Sequence, residues 1–284
     1  PDRVKAGEDV LAVSLAPPAE LLATPTFRSF IRFVGNRPFA AGPALWQQLE
    51  GLAADDHVWI TRIDEVQIAL TALRPMVEGR RVLSMGPLEG NQEWHIGTLR
   101  PARIDTIEAY HPNVLKCQVL KTAFPDLPLH IIEANVMEVE IDSSYDFVMC
   151  LGLLYHLQDP HLLLDKIRAS NPHRLFLTTQ LATPHDHPSS AFRQLAEEAE
   201  VTVNGKWYRG RLFPDERTSP HEYKTGVDQR ASFWFYPDAL RQLVADLGFR
   251  EDIWSVMDLG ERGCVAYSIL VNKERDRKLK RQWI

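Results

Sequence analysis

From Arg81 onward the chain alternates short apolar runs with segments whose apolar residues recur at helical spacing, and glycine or proline stands at the joins. Val82-Leu83, Ile104 to Glu108, Leu129 to Ile132, Phe147 to Cys150 and Leu175 to Thr179 read as buried strands. Between them, His111-Pro112 opens a helix to about Ala123, and Asp159-Pro160 opens another through Ile167, with Asp as cap and Pro at the first helical position. Leu240, Leu243, Val244 and Leu247 form an amphipathic helix stopped by Gly248. Glu251 to Val256 and Val265 to Val271 close the sheet; the link holding Gly260 and Gly263 is too short for a crossover, so these two strands are expected to be antiparallel.

Upstream, Ala19 to Phe33, Pro43 to Leu52 and Ile63 to Met76 read as helices, in the last of which Ile63, Val66, Ala69, Leu70 and Leu73 share one face. The expected organisation is a helical annex over residues 1–78, an α/β Rossmann-like domain over 79–273, and a tail over 274–284. The domain has seven mostly parallel strands with the last antiparallel, and residues 180–237 form an inserted cap too long for an ordinary loop.

The first strand runs into Gly86-Pro87-Leu88-Glu89-Gly90, where two glycines permit close backbone approach to a ligand and dihedrals closed to other residues. The second ends in Glu108, at a spacing from the turn that lets a carboxylate accept hydrogen bonds from ribose hydroxyls. Any βαβ unit needs a tight turn, and many strands end in an acid, so the pair alone is not specific. Further along stand Glu133-Ala134-Asn135-Val136 and, after the fourth strand, Leu151-Gly152-Leu153-Leu154-Tyr155-His156-Leu157-Gln158-Asp159-Pro160.

With these segments the chain resembles the class I S-adenosylmethionine-dependent methyltransferases over roughly Arg81 to Lys273. The resemblance implies S-adenosylmethionine as cofactor. Gly86 and Gly90, with Pro87 and Leu88, would line the methionine and ribose; Glu108, beside Ala109, would take the ribose hydroxyls. Asn135, beside Val136, would meet the adenine amino group, and Cys150, Leu151 and Gly152 would border the methionine end. Two departures stand out: Ser84 where the family usually has an acid, and Leu88 where it has a middle glycine, with Glu89 or Glu93 as nearby carboxylates.

Composition narrows the function. A formal charge of -6 argues against broad nucleic-acid binding, and 284 residues with 45% hydrophobic content suffice for one large domain with appendages. Cys117, Cys150 and Cys264 lie far apart, which suggests neither a disulfide framework nor a zinc knot. No apolar run approaches the roughly 20 residues that span a bilayer and no signal order is evident, so a cytoplasmic location is the default expectation.

Tyr155 and His156 are the candidate catalytic pair, since the edge after a fourth strand faces the ligand in open α/β folds; His156 either takes a proton from the acceptor or satisfies local backbone groups. His185-Asp186-His187 alternates possible metal ligands, but no third and fourth ligands are evident, and a solvated turn between Pro184 and Pro188 is favoured with no metal expected. In the insertion, Trp207, Tyr208 and Arg209 in one cluster and Trp234 and Tyr236 in another are candidate substrate contacts, either clasping an anionic planar molecule or packing the cap.

Methylation of a small-molecule hydroxyl is the first expectation. The Phe-Trp-Phe-Tyr-Pro segment is also similar to the tRNA wobble-uridine carboxymethyltransferase branch, which gives tRNA modification as one alternative, with the six basic residues of Lys273 to Arg281 as its only basic stretch. A non-catalytic protein that keeps the fold is the other. No Asn-Pro-Pro-Tyr run and no proline before Cys150 are present, which sets aside exocyclic-amine and cytosine-C5 methylation.

Overall fold

The computed structural model describes residues 73–88, 90–188, 198–214, 231–260 and 263–281. The expected annex helices lie outside these residues except for α1, Arg74–Val77. The later elements are β1 (Arg81–Met85), α2 (Asn91–Gly97), β2 (Arg103–Glu108), α3 (His111–Ala123), β3 (Leu129–Glu133), β4 (Phe147–Leu151), a 3₁₀ turn (Leu154–His156), α4 (Pro160–Ala169), β5 (Arg174–Leu181), β6 (Glu198–Val203), β7 (Lys206–Pro214), β8 (Ala231–Phe235), α5 (Pro237–Asp246), β9 (Phe249–Asp258), β10 (Cys264–Asn272) and α6 (Lys273–Arg281).

One sheet has seven strands in the order β3-β2-β1-β4-β5-β10-β9, and a second has three in the order β6-β7-β8. In the large sheet β2 runs parallel to β3 and β4 parallel to β5, whereas β10 is antiparallel to both β5 and β9, as the short link between the last strands requires. The order reverses between β1 and β4, the kind of position where open α/β sheets bind ligands beyond their strand ends. All five residues of β4 are buried, as a central parallel strand covered on both faces demands. Edge strand β9 instead leaves Ile253 and Val256 exposed.

The chain divides into two compact units. Among the described residues, 73–82 go with those of Pro87–Glu133, and Leu83–Gly86 go with those from Ala134 onward. In the first, Leu115, Leu120 and Val119 of α3 are buried along with Ile104, Ile107 and Leu129 of β2 and β3. In the second, Leu163, Leu164 and Ile167 of α4 and Leu240, Leu243 and Val244 of α5 supply buried helix faces.

The helix signals hold with one difference. α3 begins at His111 and ends at Ala123, and Gly248 follows α5 at φ 90°, the left-handed conformation that ends a helix. Asp159 does stand at the N-cap of α4, but its side chain makes no capping hydrogen bond. Leu162 N–H, a donor that such a cap would take, goes instead to the Asp159 backbone carbonyl at 3.0 Å.

The insertion is built around the three-stranded antiparallel sheet. β6 pairs with β7 through Glu198↔Arg211 to Val203↔Lys206, and β7 with β8 through Gly210↔Phe235 to Pro214↔Ala231. Gly210 permits this pairing, because a Cβ there would come within 2.2 Å of the Trp234 carbonyl oxygen. Two further backbone bonds attach β8 to its surroundings: Phe233 N–H donates to the Leu157 carbonyl at 2.9 Å, and Ala182 N–H donates to the Phe235 carbonyl at 2.9 Å.

Candidate active site

The turn after β1 is left-handed at three alternate positions: φ is 66° at Gly86, 55° at Leu88 and 77° at Gly90. Glycine has no steric objection to this conformation, whereas a leucine is strained in it. At Gly90 a side chain is excluded for a second reason, since a Cβ would lie 2.6 Å from Leu120 Cδ2. Pro87 accepts the Gly90 N–H on its carbonyl at 3.0 Å, which closes the turn.

Glu108 ends β2 with its carboxylate already organised by backbone donors. Leu88 N–H donates to Oε2 at 3.3 Å, and Tyr110 N–H donates to Oε1 at 2.8 Å. Only 8% of Glu108 is exposed, and burial raises its pKa above the ordinary glutamate range, against the opposing pull of Tyr110, Leu88, Asn113 and Ala109. Buried Asn113 also accepts from Lys116 Nζ at 3.1 Å. Leu88, Tyr110, Asn113 and Ala109 together match the roughly four acceptor sites of a carboxylate, so ribose hydroxyls would share or replace these donors. Beside it in register stands Glu133, which meets His111 Nδ1 at 2.9 Å; neither of these was singled out by pattern.

In the other unit, Asn135 spends its side chain locally. Its Oδ1 accepts Met137 N–H at 3.0 Å and its Nδ2 donates to Glu138 Oε1 at 3.1 Å, while Val136 is buried. One N–H and one oxygen lone pair of the amide are not used by these two bonds. The turn after β3 is fastened by Lys166 of α4, whose Nζ donates to the carbonyls of Val136 at 3.1 Å, Met137 at 2.7 Å and Val139 at 2.7 Å. Burial lowers the Lys166 pKa, while Glu138 and Glu140 act in the opposite sense. A lysine on an amphipathic helix reads as solvated, so residue pattern does not mark this one.

At the end of β4, burial pushes the Cys150 thiol up to about 12, which keeps it protonated and unreactive. Leu151 is buried, and Gly152 is left-handed at φ 77° with its N–H donated to the Thr178 carbonyl at 2.9 Å. The atom nearest a Cβ built at Gly152 is the Tyr155 hydroxyl, 3.9 Å away. Tyr155 and His156 occupy the 3₁₀ turn with ring centroids 4.0 Å apart. Burial lowers the His156 pKa to about 4, so its imidazole is neutral near pH 7 and able to accept a proton.

Trp234 of β8 comes edge-on to Tyr155 with centroids 5.6 Å apart, and Phe213 of β7 stacks on Trp234 at 5.1 Å. Ala182 and Tyr236 pack on the same cluster. Only 3% of Trp234 is exposed, and its Nε1 donates to Ser232 Oγ at 3.2 Å. The half-buried Tyr236 donates its hydroxyl to Glu198 at 3.0 Å, and burial, followed by that carboxylate, raises its pKa.

Strand alternation parts the Trp207, Tyr208 and Arg209 cluster. Trp207 is 68% exposed and Arg209 is exposed, whereas Tyr208 is buried on the opposite face of β7. Trp207 therefore does not pack the cap. Tyr208 donates its hydroxyl to Asp246 at 2.8 Å, and Lys206 meets the same carboxylate at 2.7 Å. Burial and then Asp246 raise the Tyr208 pKa to about 12, while Lys206, Gln242 and Tyr208 hold Asp246 down at about 2. This is a tie between β7 and α5, and Tyr208 has no free hydroxyl for a substrate.

Among the described residues Arg211 is the largest fully buried side chain. It donates to the Thr183 carbonyl at 2.9 Å and pairs with His185 Nδ1 at 3.0 Å. In the basic tail, Arg275 is committed to the Tyr145 and Asn171 carbonyls and to Asp146, and Lys278 is paired with Glu274. Among the described residues no helix is long and apolar enough to cross a membrane.

No sequence-family profile matches the chain, and no curated protein sequence matches it. Solved structures do. The N-terminal domain of EvdMO1 with SAH bound aligns with a TM-score of 0.57 at 16% identity, over 87% of this chain and 96% of that one. The same domain in the presence of SAH and D-fucose gives 0.55 at 17%, over 77% and 84%. Magnesium protoporphyrin IX methyltransferase (ChlM) from Synechocystis PCC 6803 with bound SAH gives 0.53 at 12%, over 81% and 95%. At these identities the similarity is one of fold.

Proposed function

The chain has the fold of the class I S-adenosylmethionine-dependent methyltransferases, and from this premise we propose that it transfers a methyl group from S-adenosylmethionine to a hydroxyl of a small molecule. The observation that carries the reading is the organisation of Glu108. Its carboxylate closes β2 against a turn N–H and stands at the strand end from which an acid meets ribose hydroxyls.

The residues present fit the cofactor. Gly86, Pro87, Leu88 and Gly90 would line its methionine and ribose, Glu108 and Ala109 would take the ribose, and the Asn135-Val136 turn would border the adenine. Cys150, Leu151 and Gly152 would border the methionine. When bound, the cofactor supplies a methyl group activated on a sulfonium. Two structural neighbours carry SAH in their crystals, which supports this assignment by analogy of fold.

On the protein's side, Tyr155 and His156 would orient the acceptor, with Trp234 behind Tyr155 as an apolar wall that excludes water. Neutral His156 would accept the hydroxyl proton as the new carbon–oxygen bond forms. A pKa near 4 makes it a weak base, so positioning carries more of the acceleration than proton abstraction does. A small acceptor is favoured by the aromatic wall and by the acidic chain, whose tail cations are in part committed to internal contacts. The crystallisation of the EvdMO1 domain with D-fucose makes sugar hydroxyls the first class to screen.

Calorimetric titration with S-adenosylmethionine and SAH tests the reading. Micromolar binding that Glu108→Ala weakens at least tenfold, about 1.4 kcal/mol, is the expected result. Folded protein that binds neither compound would overturn it.

A further inference from the structure

The pattern His185-Asp186-His187 invites a shared ion, yet the two imidazoles diverge. His185 Nδ1 faces Arg211, whereas His187 Nε2 lies 3.3 Å from each carboxylate oxygen of Asp258. Cys264 completes a different set: one donor atom each from His187, Asp258 and Cys264 lie within 4.8 Å of one another. The sheet register brings them together. Cys264 opens β10 directly opposite Asp258 at the end of β9, and on its other side it faces Leu181, the last residue of β5, from which the chain continues to His187.

We propose that His187, Asp258 and Cys264 form a binding site for a divalent transition metal of the zinc type. The donor set is an imidazole nitrogen, a carboxylate oxygen and a thiol sulfur, the mixture that zinc takes with high affinity and that magnesium and calcium do not. Spacing agrees. Ligands at zinc distances of about 2.0–2.2 Å in a tetrahedron stand about 3.4 Å apart, close to the 3.3 Å between His187 and Asp258 and longer than a charge-assisted hydrogen bond of about 2.7–2.9 Å.

Asp258 Oδ1 accepts Gly260 N–H at 2.8 Å, which orients the carboxylate and turns Oδ2 toward His187. His187 is held in its turn by its own N–H, donated to the Pro184 carbonyl at 3.1 Å. The 4.8 Å bound leaves the sulfur at most roughly 1 Å beyond tetrahedral spacing, within the range of a side-chain rotation. Three protein ligands leave a fourth position for water or a ligand. Bound metal would clamp the loop after β5 to the β9–β10 hairpin.

The test is titration of chelator-treated full-length protein with Co²⁺ and with Zn²⁺. Expected are one equivalent of Co²⁺ with a thiolate charge-transfer band, displacement by Zn²⁺, and a Zn²⁺-dependent rise in Tm. Cys264→Ser should abolish the band while Cys117→Ser keeps it. Asp258→Asn, at an exposed position that tolerates change, should weaken Zn²⁺ binding at least tenfold with the metal-free melting curve unchanged. Absence of stoichiometric binding to the folded wild type overturns the proposal, and so does a thiolate band that survives Cys264→Ser.

Discussion

The indole of Trp234 lies edge-on to the Tyr155 ring, with centroids 5.6 Å apart and planes at 73°. The contact joins the three-stranded sheet of the insertion to the turn that follows β4, and Phe213 stacks on the far side of the indole at 5.1 Å. Because Tyr155 also touches His156, the insertion bears on the candidate catalytic pair through one buried side chain.

Trp234→Ala is therefore expected to cost about 3–5 kcal/mol in urea denaturation, the usual loss for emptying a buried aromatic position. Trp234→Phe should cost less and keep most of the activity. An alanine variant as stable as the wild type would show that the cluster collapses around the gap.

Leu88 is held at φ 55°, a conformation that costs a residue with a Cβ about 1–2 kcal/mol. Glycine at this position relieves that strain but adds about 0.5–1 kcal/mol of chain entropy, so Leu88→Gly should stabilise by up to about 1 kcal/mol. Leu88→Ala keeps the strained torsion and should gain nothing. Gly90→Ala, by contrast, drives a Cβ into Leu120 and should destabilise by about 1–3 kcal/mol. The three melting curves decide the matter; a Leu88→Gly variant weaker than Leu88→Ala would mean that the leucine packs productively.

Lys166 holds three carbonyls of the turn after β3. Lys166→Met leaves them without their donor and should cost about 1–3 kcal/mol. Amide exchange should quicken at Met137 and Val139, whose N–H groups are both accepted by Asn135. Unchanged exchange at those two amides would show that Asn135 alone suffices to hold the turn.

Burial moves the His156 pKa from 6.5 down to about 4. Between those values the unfolded chain binds more protons at this residue than the folded one, so stability rises with pH through that window. The contribution is complete above pH 6.5 and is lost as pH falls through 4. Unfolding free energies measured across this range should show a shallower pH slope in His156→Asn than in the wild type. Parallel slopes would mean that the imidazole reaches solvent and titrates normally.

Residue pattern alone was enough for everything that depends on near neighbours in the chain. Apolar runs gave all seven strands of the large sheet, Pro112 and Pro160 marked the starts of α3 and α4, and the short Gly260–Gly263 link required the antiparallel closing pair. Gly86, Gly90 and Glu108 were legible for the same reason, since a turn and the strand ends beside it are written in consecutive residues. Strand alternation was legible in principle too, but its phase in β7 was not: only the packing of Tyr208 onto α5 decided that Trp207 faces solvent.

Tertiary structure decided what meets across long stretches of chain. Trp234 against Tyr155, Lys166 under the Asn135 turn, and Cys264 between Leu181 and Asp258 all follow from which strands pair and in what register. Hydrophobic periodicity fixes which face of an element is buried but carries no information about the partner that buries it. That choice is made by the joint packing of the whole core, where many weak contacts are satisfied together.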